Sequence, residues 1–116
     1  MSDSRSIFTK IIAREIPADI VFESDSVIAF RDIAPQAPVH LLVVPITEEF
    51  ANVAELAAGN PALLAELVSV AQKLADEHAG GQYRLIFNTG ETAGQTVFHV
   101  HAHVLGGNLE EGTLGH

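Results

Sequence analysis

The stretch His99-Val100-His101-Ala102-His103 sets three of the chain's six histidines at every second position, with an apolar residue in each gap. Imidazole changes charge near neutral pH, attacks as a nucleophile when neutral and ligates metals. On an extended strand, residues i, i+2 and i+4 share a face and stand roughly 6.5 to 7 Å apart. His99, His101 and His103 are therefore expected in a row on one side, with Val100, Ala102 and Val104 in the packed layer behind them.

Three readings fit such a row. A solvated polar face is one, although chance seldom gathers half of a chain's histidines at strict alternation. Zinc ligation is a second, but the third ring lies too far along an extended strand to join the other two on one ion without a bend. The third is nucleophilic and acid–base work, in which one ring attacks while its neighbours orient it and hold the oxygens of the reacting group. The preceding loop, TGETAGQT over residues 89–96, favours this last reading. Gly90 and Gly94 let backbone N–H groups converge on an anion, and the Gln95 amide and Thr96 hydroxyl add side-chain donors. Without the histidines the same loop would read as an ordinary glycine-rich connection.

The elements that must position these groups follow from local pattern. Ile7, Phe8, Ile11 and Ile12 recur at helical spacing behind SDSRS, whose serines and Asp3 offer capping oxygens, so a short helix is expected to about Glu15, ahead of Pro17. DIVFES and SVIAFR read as a hairpin around Ser24–Ser26, and after a two-proline loop the run Val39–Pro45 reads as a buried strand. A shorter helical turn is expected near Asn52. Asn60 and Pro61 open a long amphipathic helix to Ala79, closed by Gly80 and Gly81. Tyr83–Asn88 and Thr96–Leu105 read as the last two strands. This order, with few helices and hairpin-type spacers, predicts an antiparallel sheet with helices to one side, the α+β class, in a single domain over residues 1–116.

Composition narrows the function. Fifteen acidic against six basic residues give a net charge of −9, which disfavours nucleic-acid polymers but not a small nucleotide held by local groups. Cysteine is absent, which excludes disulfides and thiolate chemistry and suits a reducing compartment. With no signal-peptide pattern and no bilayer-length apolar run, a cytoplasmic protein without membrane partners is the expectation.

HVHAHVL resembles the His-x-His-x-His-x-x motif, with apolar x, of the histidine triad superfamily of nucleotide hydrolases and transferases. The likeness extends to GQTVFHVHAHVLGG and to SIFTKIIAREIPADIVFESDSVIAFRDIAPQAPVHLLVVP, which is similar to the amino-terminal half of the Hint branch, the histidine triad nucleotide-binding proteins. The resemblance implies a five-stranded antiparallel sheet with one long and one short helix, pairing into a continuous sheet across a homodimer through the long helix and the Tyr83–Asn88 strand. It implies a purine nucleoside phosphoramidase that cleaves the P–N bond between AMP and an amine, with no metal or other cofactor. AMP, GMP or their phosphoramidates are the implied ligands.

By the same resemblance His101 is the nucleophile, His99 and His103 support the phosphate oxygens, and His40 completes the network behind them. Thr96 is placed near the leaving group, Gly94 and Gln95 in the phosphate loop, and Asn88 at the phosphate or ribose. Asp32 is implied to hold the ribose hydroxyls, followed by Ile33, while Ile7, Phe8, Ile11, Ile16, Phe30 and Leu42 form the slot for the base. Each of these apolar positions would also serve as ordinary core. The chain departs from the pattern at PITEEF, where Glu48 and Glu49 replace a basic pair, and in its acidic, tryptophan-free tail ending at His116. A dinucleoside polyphosphate hydrolase of the same superfamily, and a partner-binding module with residual hydrolysis, are the alternatives.

Overall fold

A short helix, α1 (Ile7–Ile12), leads into the hairpin of β1 (Ile20–Glu23) and β2 (Val27–Arg31) in the computed structural model, which describes residues 6–110. β3 (Val39–Pro45) follows, then two helices, α2 (Val53–Gly59) and α3 (Pro61–Ala79), then β4 (Arg84–Ile86), a 3₁₀ turn (Glu91–Ala93) and β5 (Ala102–Gly106). All strand pairs are antiparallel, in the order β1-β2-β3-β5-β4. The sheet therefore carries one long helix and two short ones, the expected turn near Asn52 being a full helix. No helix among the described residues is long and apolar enough to cross a membrane.

Strand periodicity divides the interior into two layers. Val27, Ala29, Leu41, Val43, Val100, Ala102 and Val104 pack with Leu56 of α2 and Leu63, Leu67 and Leu74 of α3. The alternate residues Ile28, Phe30, Leu42 and Val44 pack on the other face with Phe8 and Ile11 of α1. Leu42 lies opposite His103 in the β3–β5 register, so His103 belongs to the face covered by α1.

Local chemistry explains the element ends. Asn60 accepts the Leu63 N–H at 3.1 Å, Pro61 occupies the first turn, and Gly80 takes φ 63° where α3 stops. Asn52 caps α2 in the same way, through the Glu55 N–H at 3.0 Å. Helix α1 ends at Ile12 rather than near Glu15, because Arg14 adopts φ 63° and the Glu15 N–H turns back to Lys10 O. Of the capping candidates, Ser6 makes the cap, and Asp3 lies outside the described residues, as do His116 and the end of the acidic tail.

The expected strand over Thr96–Leu105 is corrected: only Ala102–Gly106 joins the ladder, and residues 96–101 are irregular. Backbone groups of this stretch have other partners: the Val100 N–H donates to Phe50 O at 2.9 Å, and two imidazoles take carbonyls. The carbonyl of Pro45, at the end of β3, accepts a hydrogen bond from His99, and the carbonyl of His99 accepts one from His101. Acceptors that would extend the ladder are held by side chains instead. β4 is likewise shorter than the expected Tyr83–Asn88.

Candidate active site

Four histidines meet where α1 packs near β3 and the start of β5, and their hydrogen-bond partners define the protonation of each ring. His101 Nδ1 lies 2.9 Å from the His99 carbonyl, which only accepts, so Nδ1 carries the proton and Nε2 keeps a free lone pair. His99 Nε2 donates to Pro45 O at 2.8 Å, leaving Nδ1 to accept from the Ser6 hydroxyl at 3.0 Å. That hydroxyl oxygen in turn accepts the Thr9 N–H at 3.0 Å as the cap of α1. The start of the helix and the histidine cluster share one hydroxyl.

His40 and His103 form the second relay. The Gln36 N–H donates to His40 Nδ1 at 3.0 Å, so His40 Nε2 bears the proton and donates to His103 Nδ1, also at 3.0 Å. His103 is left with an N–H at Nε2. Asp32 braces this corner: one carboxylate oxygen accepts the Ala34 N–H at 2.8 Å and the other stands 3.4 Å from His40 Nε2. Phe8 lies edge-on to His101 with centroids 4.8 Å apart, and also flanks His99 at 5.9 Å.

Burial lowers the pKa of His40, His99 and His101 below the usual imidazole value, against the opposing pull of Asp32 on His40 and His101 and of hydrogen bonds to Pro45 and His99. His103 is pushed down to about 4 by burial and by its neighbours His101 and His40. All four rings are neutral at pH 7. A neutral, oriented His101 is the form that attacks an electrophile.

The free face of His101 opens into a cavity of about 350 Å³. Ile7, Phe8, Ile11, Ile16, Phe30, Asp32, Ile33, Leu42, Thr96, His101 and His103 all line it. Sequence reasoning missed three further lining residues, Pro17, Arg31 and Val97, each adjacent in the chain to a residue it named. Most of the lining is apolar, and its acidic residue, Asp32, lies in the same corner as His103. Ile33 stands at the rim, 92 % exposed.

The remaining sequence candidates lie around this cavity rather than in it. His40 is behind His103, and His99 borders a second recess with Ser6 and Thr96. Asn88 stands beside Gly94, whose φ of 96° needs a residue without a side chain. Gln95 differs from the expected anion donor. Its amide N–H groups go to Ala51 O (2.6 Å) and Val97 O (3.0 Å), its side-chain oxygen accepts the Gly90 N–H (2.9 Å), and it is 2 % exposed. It braces the loop from inside.

Asp32, His40 and His103 bring three possible ligand atoms within 4.8 Å of one another. A cation there would require the lone pair of His40 Nε2, yet the Gln36 N–H already fixes the proton on that nitrogen. These residues suit a hydrogen-bond relay better than a metal.

Fold and site together define an α+β domain that presents a neutral, oriented imidazole to an apolar slot. A family model described as "Scavenger mRNA decapping enzyme C-term binding" matches residues 5–116. The purine nucleoside phosphoramidase of Escherichia coli K12 is 45 % identical over 113 residues, covering 96 % of this chain and 94 % of that protein. An uncharacterized HIT-like protein of Synechococcus elongatus is 52 % identical over 103 residues, covering 88 % and 90 %. Among solved structures, a HIT family hydrolase from Clostridium thermocellum superposes with a TM-score of 0.84 at 45 % identity, covering 92 % and 94 %. The chain belongs to the histidine triad (HIT) family and is a hydrolase.

Proposed function

We propose that the protein hydrolyses purine nucleoside phosphoramidates, cleaving the P–N bond that joins AMP to an amine and releasing AMP. The observation that carries the reading is the His101 tautomer, with Nδ1–H on the His99 carbonyl and Nε2 free toward the slot. The 45 % identity to a protein named purine nucleoside phosphoramidase supports the substrate class.

In this reading the base occupies the apolar slot between Phe8, Ile11, Phe30 and Leu42, and Asp32 accepts from the ribose hydroxyls. His101 Nε2 attacks the α-phosphorus, the N–P bond forms, and the P–N bond to the amine breaks. The departing amine takes a proton through the Thr96 hydroxyl, which donates and then recovers one from solvent. The nucleotidylated ring is cationic, and the His99 carbonyl accepts a stronger hydrogen bond from it than from the neutral ring, so the contact favours the transition state over the ground state. His103, with its N–H at Nε2, donates to a phosphate oxygen, and His40 keeps that proton in place. Water then displaces His101 from phosphorus, giving AMP and restoring the neutral ring. No metal or cofactor enters the scheme.

The proposal extends to assembly and setting. β4 is the terminal strand of the sheet, and Val68 is exposed on α3, so pairing of two copies along β4 and α3 would give a continuous sheet and a cytoplasmic homodimer of 1–116 domains. Nucleic acids and membranes are not partners in this reading. Release of AMP from adenosine phosphoramidate, lost in His101→Ala, is the test. Turnover of dinucleoside polyphosphates at higher efficiency would overturn it.

A further inference from the structure

A second recess, of about 440 Å³, adjoins the nucleotide slot and has no role in the account above. The two share Ile7, Thr96 and Val97 as a common wall, but the second is lined by neither His101 nor His103. In a displacement at phosphorus the nucleophile and the leaving group lie roughly in line, on opposite sides. A group expelled by His101 leaves on the side of phosphorus away from that ring, and the recess reached across Thr96 is one that His101 does not line.

The walls of this recess differ in chemistry from the slot. Ile7, Val97 and Phe98 give it an apolar floor, and Phe98 is 54 % exposed although it is a large apolar side chain. Ser6, Thr96 and His99 are neutral. Glu48, from the loop after β3, is the single formally charged residue among those lining it, and no lysine or arginine is among them. Methylene groups suit the floor and a cation suits the rim; a carboxylate would meet Glu48 with no basic group to offset it.

We propose that this recess receives the leaving group and that Glu48 selects amines carrying a second positive charge at the far end of an alkyl chain, such as a diamine. The inference rests on the phosphoramidase reading and names the specificity of the same reaction. Glu48 is exposed, so its contribution has the modest size of a surface ion pair and is screened by salt.

The test compares kcat/KM for adenosine phosphoramidates of ammonia, a pentyl amine, a pentane diamine attached through one nitrogen, and an amino-hexanoic acid. The diamine is expected to exceed the pentyl amine by about threefold and the acid to fall below it by about as much, the size of one exposed charge interaction. Glu48→Gln brings the diamine-to-pentyl ratio to one. Glu49→Gln, which removes a neighbouring carboxylate that borders a different recess, keeps the wild-type ratio. Equal efficiency for diamine and pentyl amine, or a ratio indifferent to Glu48→Gln, overturns the leaving-group assignment while the phosphoramidase reading stands. No AMP from any of the four, the ammonia derivative included, overturns both.

Discussion

His101 Nδ1 and the main-chain oxygen of His99 lie 2.9 Å apart, and this contact places the ring proton on Nδ1 and leaves the lone pair on Nε2. The same contact takes up a main-chain acceptor just before β5, so the irregular backbone there and the tautomer of the ring are linked. Phosphoryl transfer by a histidine needs the neutral ring, and burial holds the pKa of His101 below 6.5. The acid limb of kcat/KM is therefore expected to have its midpoint below pH 6.5. A midpoint at or above pH 6.5 would contradict it.

Ser6 links α1 to His99 through one hydroxyl. Ser6→Ala should cost about 1 kcal/mol of stability, as for loss of a helix cap, measured by urea unfolding. It should also lower kcat by loosening the ring of His99, the residue whose main-chain carbonyl holds His101 Nδ1, and Ser6→Thr should keep both near the wild-type level. A stability loss with unchanged kcat would confine Ser6 to capping.

Gln95 makes three hydrogen bonds inside the loop. Gln95→Ala leaves the Ala51 and Val97 carbonyls and the Gly90 N–H without these partners, so a loss of about 2 to 4 kcal/mol is expected in urea unfolding. Unchanged stability with weaker AMP binding would instead make the amide a phosphate ligand.

All four clustered histidines have lowered pKa values in the folded chain, that of His103 about 4. Between about pH 4 and 6.5 the unfolded chain thus binds more protons than the folded one, and stability rises with pH across that window. Below the folded pKa values the contribution is gone. Thermal unfolding should show Tm falling as pH drops from 6.5 toward 4; a Tm that rises or stays level through this range would mean the rings are not buried neutral.

Helix α3 was legible because its signals are local: Asn60, Pro61 and Gly80 sit at its ends, and the pattern between them has one period. The Val39–Pro45 strand was legible for a similar reason, as a β-branched run closed by proline. The end of α1 was not, since Arg14 at φ 63° occupies a position where glycine or asparagine would have been the signal. The strand through the histidines is shorter than alternation predicts, because alternation looks the same whether backbone or imidazole satisfies the carbonyls. Composition and spacing drew attention to His99, His101 and His103, whereas Asp32 and the apolar slot came from the family likeness. The bracing bonds of Gln95 are not legible in the sequence, because its partner Ala51 is distant in the chain and no local pattern distinguishes a brace from a free donor.

The central claim is that His101 forms a covalent bond to the nucleotide. The direct measurement is single-turnover reaction with adenosine phosphoramidate in the presence of a chelator, quenched and followed by peptide mass spectrometry. An adenylyl group on the peptide containing His101, formed before AMP appears and absent in His101→Ala, is the predicted result. AMP released with no adduct at any time, or activity that returns only with an added divalent metal, would contradict the account.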